Sequence, residues 1–140
     1  MISAPYNVVI IDDEETMAEV YEIKLDEHFG DKINTKVFHK PGDEVMDYIK
    51  DNKVQIVLTD IHLAGYYGDS YCEQYRAINK NMQIIVVSGD ATFTTVSNCY
   101  LDGAAFYLKK PFQFDQLIDA MENCIFRLDT WSGYFNRGKK

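Results

Sequence analysis

Four short stretches, far apart in the chain, carry the residue types that could do chemistry. Asp12-Asp13-Glu14-Glu15 follows the apolar run Val8-Val9-Ile10-Ile11, and Asp60 follows Gln55–Thr59. Ser88-Gly89-Asp90 follows Gln83–Val87, and Lys110-Pro111 comes just after Phe106-Tyr107-Leu108. If these ends share one edge, Asp12, Asp13 and Asp60 meet one hydroxyl and one ammonium. Carboxylates that close together in a partly desolvated cleft repel each other, and a divalent cation relieves the repulsion. Its ligands would all be oxygens. That suits Mg²⁺, which keeps several waters and takes one or two carboxylates. Zinc or copper would want His or Cys, and these are not clustered. Asp13 to Glu15 could also be a plain helix start, where acids favour the dipole. That accounts for Glu14 and Glu15 but not for Asp60 and Lys110, which lie far away in sequence.

The elements that must position these residues follow from periodicity. Runs 8–11, 33–39, 55–59, 83–87 and 106–108 are too short for helices and, in large part, β-branched or aromatic, so they read as strands. Between them lie amphipathic stretches. The first, 12–29, places Met17, Val20, Tyr21 and Leu25 on one face, with Gly30 as its stop. Further helices are expected through Val45, Met46 and Ile49 after the turn Pro41-Gly42-Asp43, over about 69–78, over about 91–101 and over 114–128. The 91–101 stretch is rich in Thr, Ser and Asn and has weak intrinsic propensity. The last helix carries Leu117, Ile118, Met121, Cys124, Ile125 and Leu128 at helical spacing. Five strands alternating with five helices describe a (βα)5 α/β domain, a doubly wound parallel five-stranded sheet covered by helices on both faces. In such a sheet, sites form beyond the carboxyl ends of the strands. The domain should occupy 1–128. Residues 129–140 form a C-terminal tail with three aromatics, which either docks on the body or begins a linker.

The chain has 140 residues, which suits one domain. It holds 22 acidic and 14 basic residues, a net charge of −8. Such a surface repels phosphate backbones and anionic lipid, so no direct nucleic-acid binding is expected. The longest apolar runs are only about four residues, against the about 20 a membrane helix needs. Cys72, Cys99 and Cys124 are odd in number and widely spaced, which suits core thiols in a reducing cytoplasm rather than disulfides or zinc.

With these residues in hand, the chain resembles a response regulator receiver domain, the phosphoacceptor of bacterial two-component signalling. The matching motifs are IIDDEE after strand 1, VLTDIHLAG around Asp60, VVSGD after strand 4 and GAAFYLKKPF at strand 5. The resemblance covers about residues 5–127. It implies the flavodoxin-like strand order 2-1-3-4-5. It further implies that Asp60 is the phosphoacceptor and that Mg²⁺ is held directly by Asp13, Asp60 and the backbone carbonyl of His62, with Asp12 acting largely through water. Ser88, Gly89 and Lys110 would bind the phosphoryl group. Ser88 and Tyr107 would form the switch, and a cis bond would precede Pro111. The partners implied are a sensor histidine kinase or histidine phosphotransfer protein, and an output domain or target protein met by the face of helix 91–101, strand 106–108 and helix 114–128. The domain would be a signalling phosphoacceptor rather than an enzyme, aside from its own Mg²⁺-dependent phosphorylation and dephosphorylation. His62 and Asp90, each two residues past a site residue, would flank the attacking water and tune the acyl-phosphate lifetime.

Departures and rivals bear on this reading. Ala64 stands where the family often has Pro, and the 91–112 stretch lacks the charged dimer face of winged-helix regulators. A haloacid-dehalogenase-like phosphatase needs a D-x-D motif, but two residues after Asp12 comes Glu14. A flavodoxin would hold a flavin phosphate after strand 1, where four acids would repel it.

Overall fold

A computed structural model describes residues 4–61, 69–90 and 92–137. His62 and the loop 64–68 lie outside the described residues. The element order is β1 (Tyr6–Ile11), α1 (Glu15–Phe29), β2 (Ile33–Phe38), α2 (Asp43–Asp51), β3 (Ile56–Asp60), α3 (Asp69–Ile78), β4 (Gln83–Ser88), α4 (Phe93–Leu101), β5 (Phe106–Lys109) and α5 (Phe114–Arg137). All neighbouring strands are parallel, in the order β2-β1-β3-β4-β5. The expected fold class and strand order are therefore found.

Alternation along each strand divides the core in two. Val8, Ile10, Leu58, Ile85 and Val87 face one layer, with Ala18, Tyr21 and Leu25 of α1 and Leu117, Met121 and Cys124 of α5. Val9, Ile11, Val57, Ile84 and Val86 face the other, with Val45 and Ile49 of α2, Cys72 and Tyr75 of α3 and Cys99 of α4. Both faces are covered, which is why the strands read as continuous apolar runs. All three cysteines are buried, as thiols rather than disulfides. Among the described residues no helix is long and apolar enough to cross a membrane.

Two helix ends decide the geometry near the site. At the start of α1, the Glu14 amide donates to Asp12 Oδ1 at 2.9 Å, so the side chain that satisfies a helix donor is also fixed in place. At its end, Gly30 adopts φ 54°, and its amide donates to the Asp26 carbonyl. A left-handed residue at this position favours glycine.

One boundary differs from expectation. The helical spacing suggests an end at Leu128, yet α5 continues to Arg137. Asp129 explains the continuation. It accepts from the Tyr6 hydroxyl at 2.5 Å and pairs with Lys32 Nζ at 2.9 Å. Both partners lie more than ninety residues away in sequence, so local periodicity could not reveal them.

Candidate functional site

Parallel strands put their carboxyl ends on one edge, and the turns after β1, β3, β4 and β5 meet there. Asp12 is 1% exposed and Asp60 is 8% exposed, while Asp13 is open to solvent. One carboxylate oxygen from each of these three lies within 4.8 Å of the others. Lys110 reaches in from the end of β5, with Nζ donating to Asp60 Oδ2 at 2.7 Å and to Asp12 Oδ2 at 3.2 Å. Its own amide donates to the Ser88 carbonyl at 2.7 Å, which locks the β5 end to β4. The Lys110-Pro111 bond is cis.

The electrostatics follow from burial and pairing. Burial pushes the Asp12 carboxyl up, and the Glu14 amide and Lys110 only partly oppose it. Burial alone would lower the Lys110 ammonium. The hydrogen bond and charge of Asp60, with the charge of Asp12, instead hold it well above an ordinary lysine. Three carboxylates against one ammonium leave a formal charge of −2. A hard divalent cation matches that charge and an all-oxygen donor set, so these residues are suited to hold one.

The remaining expected residues sit around this cluster. Ser88 is fully buried, and its Oγ accepts from the Asp90 amide at 3.1 Å. A side chain at position 89 would meet nothing within 4 Å apart from its chain neighbours, so Gly89 faces open space. Tyr107 is half-buried on β5, and its hydroxyl donates to the backbone carbonyl of Asp90. Burial raises its phenol, and the Ser88 hydroxyl partly opposes that. The Asp90 carboxylate is turned to the start of α4, where it accepts from the Thr92 amide at 2.8 Å and the Thr95 hydroxyl at 3.0 Å. His62 lies outside the described residues.

Two features went unread in the sequence. Thr92 and Thr95 looked only like poor helix formers, yet Thr92 is the N-cap of α4 and accepts from the Thr95 amide at 3.4 Å. A threonine just ahead of Phe93, Val96, Cys99 and Tyr100 at helical spacing is the available signal. A cavity of about 330 Å³ also opens beside Lys110, lined by Glu14, Met17, Tyr21, Phe112 and Phe114. Tyr21 stacks on Phe112 at 6.1 Å there, and burial raises its phenol to about 12.

Fold and site together define a doubly wound α/β domain with a lysine-capped acidic cluster at the carboxyl edge of its sheet. The family model for the response regulator receiver domain matches residues 8–122. The chain belongs to that family, the receiver domains of two-component response regulators. Among its relatives is the transcriptional regulatory protein MalR of Bacillus subtilis, 23% identical over 134 residues, which span 96% of this chain and 56% of MalR. The DNA-binding transcriptional regulator NtrC of Klebsiella pneumoniae is 25% identical over 116 residues, spanning 83% of this chain and 24% of NtrC. The chain thus spans about half of the first relative and a quarter of the second. Among solved structures, a CheY-like receiver domain protein from Methanospirillum hungatei aligns with a TM-score of 0.77 at 19% identity, covering 89% of this chain and 97% of its own. A response regulator from Burkholderia pseudomallei, solved with a phosphorylated aspartic acid, a calcium ion and citrate, aligns with a TM-score of 0.72 at 24% identity. That match covers 94% of this chain and 75% of its own.

Proposed function

We propose that Asp60 accepts a phosphoryl group from the phosphohistidine of a sensor histidine kinase or histidine phosphotransfer protein. The observation that carries this is the Lys110 ammonium, 2.7 Å from Asp60 and 3.2 Å from Asp12, inside a cluster of three carboxylates. An Asp60 carboxylate oxygen attacks phosphorus in line. The new O–P bond forms as the donor's N–P bond breaks, and the imidazole leaves with the electron pair and takes up a proton. Such transfer depends mostly on positioning and charge neutralisation. Asp12, Asp13, Asp60 and the His62 carbonyl would hold Mg²⁺, which when bound neutralises and orients the phosphoryl oxygens. Lys110 moves from carboxylate to phosphoryl oxygen, and the Ser88 hydroxyl turns to donate to another. Gly89, which faces open space, would put no side chain in the way of the group.

Phosphorylation adds about −1.5 to −2 charges and strong acceptor oxygens. Movement of Ser88 makes room for Tyr107, and α4, β5 and α5 present the altered face to an output domain or target protein. Water then hydrolyses the acyl phosphate, with His62 and, through the Thr92 and Thr95 contacts that hold its carboxylate, Asp90 setting its lifetime. The domain acts in the cytoplasm, away from membrane and without touching nucleic acid itself. Reacting wild type and Asp60→Asn with acetyl phosphate and Mg²⁺ and weighing the intact proteins tests this. Wild type should gain one phosphoryl mass and the variant none. Equal labelling of both would overturn the assignment.

A further inference from the structure

At the amino edge of the sheet, opposite Asp60, a cavity of about 310 Å³ opens between the ends of α2 and α3. Its size lies at the lower end of the range for small-molecule sites. Ile49, Val54 and Ile78 give it an apolar wall, and Lys50, Lys53, Gln55 and Asn79 line it with polar groups. No acid lines it, although the chain carries a net charge of −8. The two amide side chains are oriented by the backbone. Gln55 Oε1 accepts from the Asn7 amide at 2.8 Å, and Asn79 Oδ1 accepts from the Asn81 amide at 3.0 Å. A backbone N–H can meet only the oxygen end of such a side chain, so the NH₂ ends remain as donors. Helix ends ordinarily present carbonyl acceptors, which disfavour anions. Several here are already bonded. The Tyr48 and Ile49 carbonyls accept from the Asn52 and Val54 amides, and the Tyr75 and Asn79 carbonyls from the Asn79 and Met82 amides. The polar lining therefore offers two ammonium groups and two amide donors.

We propose that this cavity binds a small organic phosphate. Lys50 and Lys53 offset its two negative charges, the NH₂ groups of Gln55 and Asn79 donate to its oxygens, and its organic part rests on Val54 and Ile78. Two ammonium groups with no acid between them match a phosphate dianion better than a single carboxylate. Lys53 adds an observation of its own. It stands just past Asn52, the C-cap of α2, at φ 49°, and the Val54 amide closes the turn onto the Ile49 carbonyl at 3.2 Å. Glycine or asparagine is favoured at such a left-handed position. A lysine there strains the backbone but keeps a positive charge beside the cavity. The dipole of α2 accounts for a cation at Lys50. It does not account for a lysine in this conformation, nor for the two amides turned to donate. The site stands apart from phosphorylation of Asp60, which lies at the other end of β3.

The test is an NMR titration of the full chain in chelator at mildly alkaline pH, so that no Mg²⁺ loads the Asp60 edge. The probe is phenylphosphonate, a dianion there and unable to donate a phosphoryl group. It should give saturable shifts of the Gln55 and Asn79 side-chain NH₂ signals and of the nearby backbone amides. Phenyltrimethylammonium, a cation of similar shape, should leave these signals unmoved. Inorganic phosphate should bind less tightly than the probe, because it leaves the apolar wall uncovered. Combining Lys50→Gln with Lys53→Asn should weaken the probe about tenfold, as losing two exposed charge contacts implies. Asparagine suits the left-handed turn, so this variant should keep its fold. Lys50→Arg with Lys53→Arg keeps both charges and should retain binding. Asp60→Asn should leave the affinity unchanged, and a loss there would place the anion at the other edge and overturn the proposal. Shifts that do not saturate, that appear equally with the cation, or that keep wild-type affinity without the two lysines would also overturn it. So would equal affinity for inorganic phosphate, since the cavity would then select no organic ligand.

Discussion

Burial makes the charge on Asp12 unfavourable wherever no cation offsets it. Burial lifts its carboxyl above the usual 3.8, so the folded state binds this proton more tightly than the unfolded chain does. The sign follows directly: ionising Asp12 costs stability above the folded pKa, and the cost disappears below the unfolded value. Asp12→Asn, which keeps an oxygen for the Glu14 amide, should therefore raise the metal-free melting temperature, by roughly 1 kcal/mol of stability or a few degrees. Thermal melts at pH 7 in chelator would show this, and a lower melting point would contradict it. Mg²⁺ should stabilise wild type more than this variant, because it relieves the same repulsion. Asp13→Ala should weaken Mg²⁺ binding far more than Glu15→Ala, as read by titration calorimetry. Asp13 belongs to the three-carboxylate group, and Glu15 does not.

Among the elements, α5 depends on a contact at its far end. Asp129 joins the helix to β1 through Tyr6 and to Lys32 before β2. Burial would raise its carboxyl, but the Tyr6 and Lys32 contacts win and hold it below 3.8. A depressed acid contributes stability above its unfolded pKa, and that contribution fades as pH falls below about 4 toward the folded value. Asp129→Asn should speed amide exchange in the last turns of α5 at neutral pH. The difference from wild type should vanish in acid. Its global cost should stay below about 1 kcal/mol, as for half-exposed ion pairs generally. Unchanged exchange in residues 129–137 would show that the helix end stands without the clasp.

At the scale of the molecule, one sheet separates two apolar layers, and each helix seals its own layer. Leu117 is fully buried in the α1/α5 layer. Leu117→Ala should cost about 2–5 kcal/mol by leaving a cavity. Urea titration should show a lower midpoint with an unchanged slope, since one cooperative unit unfolds. The same architecture predicts where a signal travels. Beryllofluoride, an acyl-phosphate mimic, should shift NMR signals of α4, β5 and the start of α5 in wild type. In Ser88→Ala the shifts should stay near Asp60. Equal spread in both proteins would dissociate the Ser88 hydroxyl from the output face.

Much of this was legible in the order of residues along the chain. Each of Asp12, Asp60, Ser88 and Lys110 sits at or just beyond the end of an apolar run, and parallel strands necessarily bring their ends to one edge. Strand identity, helix faces and the membership of the acidic cluster follow from that local pattern. Periodicity reports only neighbours a few positions apart, so contacts across long loops escaped it. The bonds from Lys110 to both Asp12 and Asp60 depend on β1, β3 and β5 taking their places in the sheet. Asp90 reads as a flank of the attacking water, and the contacts of its carboxylate with the Thr92 amide and the Thr95 hydroxyl are visible only in the folded chain. The nine further residues of α5 were invisible for the same reason. Their anchor, Asp129, finds Tyr6 only after the first strand and the last helix pack together, 123 residues apart in the chain.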